Sequence, residues 1–373
     1  MKSNTERKKN AVDTKSKGVK KPVKKTSPST QQKAERRYCG VPVSAPRTFG
    51  PEVGPPRAEL IQLIAPKWVN GTVLNYWFFA GPTSQKAAMR RAFKIWENVG
   101  IGIKFKEVTQ RQDAQIRIAF ATTGPDAGSW SYIGREILTI AQTKPTMNIG
   151  WDVSSDIDTA VHEIGHTLGF PHEHQNPNAG IVWNEEAVYA ELGGYPNYWE
   201  REKTYWNIIR KIAPDTVQGS NWDPNSIMHY PFGPGLISQP AQFQVGLQPA
   251  GGLSARDVQW VKTFYPPLTP SNYINLPTLN SVPLKVADDG QANYVIKPDQ
   301  TRFYEMRTFG ESDSVMVLFE EIKGALHFVA GDDDSGTEKN AYLRVRLRKG
   351  QKYVLRVRVM YVEPETNAAI MLW

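Results

Sequence analysis

The sequence has very little cysteine and no long apolar run. Cys39 is its only cysteine among 373 residues, which excludes an intramolecular disulfide framework. No stretch approaches the roughly 18 consecutive apolar residues of a membrane span, so membrane insertion is not expected. The first 37 residues also contain no apolar segment that could be the core of a signal peptide, which makes a cytoplasmic location the default expectation.

The charge is uneven along the chain. Residues 1–37 carry thirteen basic and three acidic side chains, a net charge of +10, whereas the whole chain is +8. The rest of the chain therefore sums to −2, and nucleic acid is not the expected partner, because a nucleic-acid-binding fold usually carries its positive charge on a folded face. We expect residues 1–37 to form a disordered basic tail, since large apolar side chains are almost absent there.

Three further segments follow the tail. Residues 38–66 are rich in Pro and Gly and predict an extended lead-in, a candidate pro-segment. Residues 67–268 mix helical and strand patterns and predict an α+β domain, whereas residues 271–373 contain about seven strand patterns and predict an all-β sandwich. In the α+β domain the predicted strands are 73–79, 101–105, 115–121, 137–141 and 147–151, and the predicted helices are 83–98, one from 155, and 254–265. The predicted helix caps are Thr83 or Ser84 and Ser254.

The predicted sandwich carries two charged features. Five arginines alternate with apolar residues along two of its strands: Arg344, Arg346, Arg348, Arg356 and Arg358. They could bind an acidic partner, but a solvated sheet face is the favoured interpretation. Three successive aspartates, Asp332 to Asp334, could bind Ca²⁺, and here a solvated turn is favoured.

A cluster of histidines carries the strongest chemical signal. His162 and His166 are four residues apart, so on a helix both imidazoles leave the same face and can share one metal ion. Gly169 can end that helix in a left-handed conformation, which would return the chain so that His172 becomes a third ligand. Three neutral imidazoles leave a fourth position open, as in catalytic zinc sites. Glu163 adjoins the first ligand, where its carboxylate can take a proton from an attacking water.

The same residues resemble a known family. The run from His162 to His172 matches the metzincin signature His-Glu-x-x-His-x-x-Gly-x-x-His, and Met228 lies 56 residues further on in a segment that resembles the Met-turn. Glu173 follows the third histidine directly, and a glutamate at this position resembles the sequence pattern of the astacin branch. The resemblance covers about residues 67–266. It implies an upper subdomain of twisted sheet and two helices, a horizontal substrate cleft and a mostly irregular lower subdomain.

The resemblance also implies roles for individual residues. Met228 would form a hydrophobic floor under the zinc ion. Tyr230 would be a fifth, displaceable ligand whose phenol stabilises the oxyanion of the reaction. The strand edge that binds substrate is expected at Trp130, Ser131, Tyr132 and Ile133.

The chain departs from the astacin pattern in ways that favour a bacterial-type or matrixin-like enzyme. Astacins usually carry two disulfides, one of them through the position held here by Ser129. After the third histidine, Gln175-Asn176-Pro177 replaces the usual continuation that contains Arg and Asp. The tie between Glu173 and a processed N-terminus, known in secreted astacins, is therefore in doubt. Similar families are mostly secreted, which stands against the default location. Residues 331–336 and the two strands after them loosely resemble a bacterial pre-peptidase C-terminal domain.

The single thiol lies in a second recognisable pattern. Cys39-Gly40-Val41-Pro42 resembles the matrixin cysteine switch, in which a thiolate fills the zinc position that water needs. The neighbouring arginine, Arg37, is displaced by one position. An incidental cysteine therefore remains the alternative to an inhibitory switch.

Taken together, the residues predict a zinc metalloendopeptidase, a hydrolase whose substrates are proteins or peptides. The alternative is a binding module for a matrix, polysaccharide or polyanion, with residual or no proteolysis. The presence of three ligands, a base and a Met-turn in one chain favours the enzyme. The oligomeric state is not predicted.

Overall fold

The structure is a computed structural model that describes residues 36–43, 67–212, 221–267, 273–284, 291–310, 313–333, 335–336, 340–359 and 368–373. The predicted disorder of residues 1–35 and most of the predicted lead-in, residues 44–66, lie outside the described residues. The last two residues of the predicted tail, 36 and 37, and residues 38–43 of the lead-in are described and contain no helix or strand.

One mixed sheet organises the N-terminal part. Its five strands are β1 (Val73–Phe78), β2 (Lys104–Glu107), β3 (Ile116–Ala119), β4 (Trp130–Ser131) and β5 (Met147–Asn148). Their order is β2-β1-β3-β5-β4. All neighbours are parallel except β4, which pairs antiparallel with β5 and lies at the edge of the sheet. Among the described strands, β4 is therefore an edge of this sheet that runs antiparallel to its neighbour.

Two helices cover this sheet and share its core. Helix α1 (Thr83–Asn98) buries Ala88, Ala92, Phe93 and Trp96, the stripe that the sequence predicts. Helix α2 (Asp158–Thr167) packs beside α1, and Trp96 Nε1 donates a hydrogen bond of 2.9 Å to Val161 O. The two helices and the sheet enclose one hydrophobic core.

Two local predictions for this part are wrong. The N-cap of α1 is Pro82, so neither Thr83 nor Ser84 caps it. Residues 137–141 do not form a strand, because a 3-10 helix spans Gly134–Thr139. Ile137 is buried in this turn, whereas Leu138 is 55% exposed. The prediction interpreted a short apolar stretch as a strand, which such a stretch alone does not establish.

The chain after α2 is mostly irregular, as expected. Its short elements are β6 (Val182–Trp183), α3 (Glu185–Gly193), α4 (Arg201–Thr204) with a π-helical turn at Tyr205–Ile209, and β7 (Ile237–Gln239). They surround a second core that also includes Tyr38 and Cys39 of the lead-in. The part closes with α5 (Ala255–Phe264), whose N-terminus is the predicted cap: Ser254 and Asp257 form a reciprocal capping box.

The C-terminal part contains only strands in its described residues. They are β8 (Ile274–Asn275), β9 (Val282–Pro283), β10 (Gln291–Ile296), β11 (Arg302–Phe309), β12 (Ser314–Ile322), β13 (Ala325–Asp332), β14 (Tyr342–Leu347), β15 (Lys352–Val359) and β16 (Ala369–Leu372). One sheet has the order β13-β12-β15-β10-β8 and the other β14-β11-β16-β9. Side chains of both sheets share a third core.

Two of the five alternating arginines do not face solvent. Arg344 and Arg346 on β14 and Arg348 directly after it are exposed, but Arg356 and Arg358 on β15 are 3% and 4% exposed. Arg356 Nη1 donates to Asn70 O. Arg358 Nη1 donates to Trp68 O at 2.7 Å and Nη2 donates to Phe264 O at 3.2 Å. The favoured expectation of a solvated face is therefore wrong for β15, whose guanidinium groups bind backbone carbonyls of the N-terminal part.

A further ion pair crosses between the same two parts. Arg135 Nη2 lies 2.5 Å from Asp333 Oδ2. The neighbouring Asp332 accepts hydrogen bonds from Ser335 and from the backbone of Tyr342, so these two carboxylates already have partners. Asp334 lies outside the described residues. Within the described part of the chain no acidic group joins a candidate metal cluster here, and nothing supports the calcium prediction.

No helix in the described residues is long and apolar enough to cross a membrane.

Candidate active site

The three predicted histidine ligands converge at the buried end of α2. His162 and His166 lie one helical turn apart, with their ring centres 4.7 Å apart. Gly169 adopts φ +93°, which a side chain would strain, and this left-handed turn brings His172 back to the pair. His166 Nε2 then lies 3.1 Å from His172 Nε2. The three imidazoles are each at most 7% exposed.

Backbone carbonyls fix the orientation of two of these rings. His162 Nδ1 lies 2.7 Å from Ile227 O, and His166 Nδ1 lies 2.7 Å from Phe170 O. A carbonyl oxygen can only accept a hydrogen bond, so Nδ1 of each ring must carry the proton. Nε2 of each ring then keeps a free lone pair. Burial lowers the pKa of His162 to about 4 and lowers the pKa of His166 well below its usual range. Both rings are therefore held neutral, the form that binds metal ions.

Glu163 lies beside these ligands and is fully buried. Its Oε2 accepts a hydrogen bond of 3.4 Å from Cys39 Sγ, and its Oε1 has no partner among the described residues. Burial raises the pKa of the carboxyl to about 8, an effect that the bond from Cys39 only partly offsets. A buried carboxylate with one uncommitted oxygen is suited to accept and pass on a proton.

Met228 lies under the histidines, against a position where only glycine fits. A Cβ on Gly165 of α2 would lie 2.4 Å from Met228 Sδ, so the packing of the sulfur requires the absence of a side chain there. The turn that carries Met228 is held by Asp257, whose carboxylate accepts from Ser226 Oγ at 2.6 Å and from Ile227 N at 2.8 Å. Sequence reasoning missed this positioning role of Asp257, although the Ser254-x-x-Asp257 capping pattern marks the residue.

Tyr230 joins the histidines to the lead-in. Its phenol contacts His172 Nε2 and donates a hydrogen bond of 2.6 Å to Cys39 O. The side chains of Tyr230 and Cys39 are both buried. Burial raises the pKa of the Tyr230 phenol and of the Cys39 thiol well above their usual values. The phenol therefore remains protonated and acts as a donor.

Cys39 lies among the histidines, 123 residues before the first of them in sequence. Its Sγ and one nitrogen from each of His162, His166 and His172 all lie within 4.8 Å of one another, and all four residues are buried. The structure thus brings the predicted thiol and the three predicted ligands to one point.

The lead-in is held in this position by contacts that sequence reasoning did not predict. Asn197 accepts from Tyr38 N at 3.2 Å and donates to Arg36 O at 2.9 Å. Gly40 N donates to Ser129 O at 3.1 Å, next to strand β4. Tyr38 is 2% exposed and packs among aromatic rings, including Tyr230 at 5.4 Å. Asn197 lies in an irregular loop, so no sequence pattern marks it.

The predicted substrate edge lies beside α2. Trp130 and Ser131 form β4 itself, and Ser131 Oγ lies 3.2 Å from Thr167 Oγ1 of α2. Tyr132 N donates to Thr146 O, and Ile133 leads into the 3-10 helix.

Glu173, the residue after the third histidine, has partners in its own part of the chain. Its Oε1 accepts hydrogen bonds from Asp223 N at 2.9 Å and from Asn176 Nδ2 at 3.2 Å.

The donor set fits a zinc ion. The nitrogen and sulfur atoms that face one another are those that tetrahedral zinc prefers, and His162 Nε2 is buried without a partner among the described residues. A helix with two histidines, a third histidine after a glycine turn, an adjacent glutamate and a methionine floor define the metzincin class of zinc peptidases.

Comparison with known proteins narrows the class. The family model Astacin, which describes the astacin family of peptidases, matches residues 61–234. Protein SpAN of Strongylocentrotus purpuratus is 24% identical over 159 residues, which is 42% of this chain and 23% of that protein. Tolloid-like protein 1 of Mus musculus is 29% identical over 194 residues, 49% of this chain and 17% of that protein. The matched segment is thus an astacin-like metzincin domain.

A solved structure is also similar. The structure of myroilysin is 34% identical in sequence, with a TM-score of 0.49, and the match covers 55% of this chain and 97% of that one. The chain spans about a fifth of the length of the two curated relatives above.

Proposed function

We propose that this protein is a zinc-dependent metalloendopeptidase that cleaves proteins or peptides. The observation that carries the proposal is the convergence of His162, His166 and His172 on one point, with the buried Glu163 beside them. His162, His166 and His172 would hold the ion. When bound, zinc supplies Lewis acidity that polarises the scissile carbonyl and makes water a better nucleophile.

The protein's own groups would perform the proton transfers. Glu163 takes a proton from the attacking water and then delivers it to the leaving amine. Tyr230, once its phenol is released from Cys39 O, donates a hydrogen bond to the oxyanion that develops on the carbonyl. Strand β4 offers free backbone groups along which an extended peptide can pair antiparallel.

Removal of metal tests the proposal. We expect full-length protein carrying Cys39→Ser to clear casein from a gel, to lose this activity with a zinc chelator, and to regain it when zinc is restored. The site lies on a large hydrophobic core of sheet and helices that does not depend on a metal ion, so the fold should survive metal exchange and allow the recovery. Casein cleavage that persists in metal-free protein would contradict the proposal.

The alternative of a binding module without proteolysis is not favoured. Two of the five arginines that could bind a polyanion, Arg356 and Arg358, donate hydrogen bonds to backbone carbonyls instead. We assign residues 67–268 to the peptidase domain and residues 271–373 to an accessory β-sandwich that rests on it.

We further propose that residues 38–66 include an inhibitory pro-segment. Cys39 Sγ would take the fourth zinc position as a thiolate, because a coordinating thiol is deprotonated outright. Three contacts support this role: the bonds from Tyr230 to Cys39 O, from Gly40 to Ser129 O, and from Asn197 to Arg36 O. In this state the described part of the lead-in, residues 38–43, would block the place where water and substrate must enter.

Latency is therefore the expected state of the full-length chain. Cys39→Ser should raise the rate of casein cleavage, since a hydroxyl is a far weaker zinc ligand than a thiolate. A matched control is Val43→Ser, because Val43 is in the same segment but 66% exposed, and it should leave the chain latent. Equal activity of wild type, Cys39→Ser and a form lacking residues 1–50, measured in reducing buffer with zinc, would refute the switch.

A further inference from the structure

A cleft of about 200 Å³, open to solvent, lies directly beside Glu163. One wall comes from the start of helix α2 and the residues before it, including Asp156, Asp158 and Thr159. The opposite wall comes from the segment after Met228, including His229 and Pro231. The cleft therefore includes part of the proposed catalytic site, where Cys39 and Tyr230 also line it, and it extends beyond that site.

The position of Glu163 indicates which substrate residue meets this pocket. Glu163 and His162 both line the cleft. In the proposed reaction Glu163 delivers a proton to the leaving amine, so the residue that carries this nitrogen must lie beside it. That residue is the one that follows the scissile bond, and its side chain is the one that can enter the cleft.

The cleft carries negative charge on the helix wall. Apart from Glu163, the carboxylates that line it are Asp156 and Asp158. Asp156 Oδ1 accepts from Asp158 N at 3.1 Å, and Asp158 Oδ2 accepts from Gly252 N at 3.0 Å. These backbone bonds hold both carboxylates on the wall, where they favour a cation.

The opposite wall contributes a buried acceptor. His229 is 4% exposed, and its Nε2 has no hydrogen-bond partner among the described residues. Its Nδ1 lies 2.8 Å from Tyr230 O, which fixes the proton on Nδ1 and makes Nε2 an acceptor. An unpartnered buried acceptor is satisfied by a ligand that brings N–H donors.

The residue directly before the lead-in already presents such a ligand. Arg37 lines the same cleft, with its guanidinium 5.9 Å from the ring centre of Trp151. We propose that the cleft selects lysine or arginine in the residue after the scissile bond, and that Arg37 occupies this basic-residue site in the latent chain. The proposal rests on the proposed peptidase function and adds its substrate class.

The test compares peptides that differ in one residue. Zinc-loaded full-length protein with Cys39→Ser is given quenched peptides carrying Arg, Lys, citrulline, Leu or Glu after the scissile bond, and product masses locate the cut. We expect kcat/KM for Arg and Lys to exceed that for citrulline, which has the shape of arginine without its charge, by about tenfold or more. The Asp156→Asn/Asp158→Asn double variant should reduce this ratio to near one, because asparagine keeps the backbone bonds but not the charge.

Two controls separate charge selection from damage to the fold. Asp152→Asn changes an exposed aspartate of the same loop that does not line the cleft, and it should keep the wild-type ratio. Independently of turnover, Arg37→Gln in the otherwise wild-type chain should speed the reaction of the only thiol, Cys39, with a disulfide reagent, whereas Arg37→Lys should not. The second experiment needs no peptidase activity.

The outcomes distinguish the two proposals. Cleavage of all five peptides at similar rates, or a ratio unchanged in the double aspartate variant, would overturn the basic-residue site and leave the peptidase intact. No cleavage of any peptide by metal-loaded protein would overturn the proposed function and the basic-residue site with it.

Discussion

Glu163→Gln is expected to abolish most peptidase activity while leaving zinc bound. Glutamine has nearly the same shape but cannot accept a proton, and positioned general bases contribute about 10²–10⁴-fold to turnover. The ligand cluster comprises Cys39 and three histidines and does not include Glu163, so metal affinity should change little. The measurement is kcat/KM on a quenched peptide together with the zinc content of the same sample, both in the Cys39→Ser background.

The control for this variant is Glu202→Gln, which makes the same chemical change at an exposed position on α4. It should retain full activity. If Glu163→Gln kept near wild-type turnover with zinc bound, another group would have to be the base. Loss of zinc together with activity would place Glu163 among the ligands instead.

Tyr230→Phe is expected to lower kcat by about 10²–10³-fold with little change in KM, because it removes one donor to the oxyanion. The phenol is well placed for this role, since it already contacts His172 Nε2. The comparison variant is Tyr205→Phe, at a tyrosine that is 46% exposed. Measuring both in a form that lacks residues 1–50 separates this effect from the bond that Tyr230 makes to Cys39 O, because that carbonyl is then absent.

An unchanged kcat in Tyr230→Phe would show that the ring only packs. A large rise in KM with kcat intact would show that the phenol helps to bind substrate in the ground state and does not act in the transition state.

The site could be predicted where its geometry is local. The i, i+4 spacing of His162 and His166 fixes their relation on any helix, and Gly169 marks the turn that returns His172. The capping box at Ser254 is equally local. Contacts across a long stretch of sequence carry no such signal: Asn197 holds the lead-in from a loop whose residues show no periodicity, and only the structure reveals it.

Three alternating arginines show where sequence patterns mislead. Arg117, Arg356 and Arg358 alternate with apolar residues and so suggest a solvated sheet face, yet each is at most 4% exposed. Their guanidinium groups donate to backbone carbonyls, for example from Arg117 Nε to Lys144 O at 2.8 Å. The five N–H donors of a guanidinium group can satisfy several backbone carbonyls of irregular segments in this way. An arginine at a polar strand position can therefore be buried and hydrogen-bonded within the protein. The two-residue period alone cannot distinguish these cases.

The position of Tyr38 in the core of the lower subdomain links activation to stability. Its ring stacks on Phe232 with centres 5.9 Å apart and is almost fully shielded from water. In the proposed activation the lead-in would leave the cleft and that burial would be lost, and a large apolar side chain contributes about 1.5–3 kcal/mol when buried. If the switch operates as proposed, the activated form is expected to be less stable than the latent one, and activation would also shorten the lifetime of the folded protein.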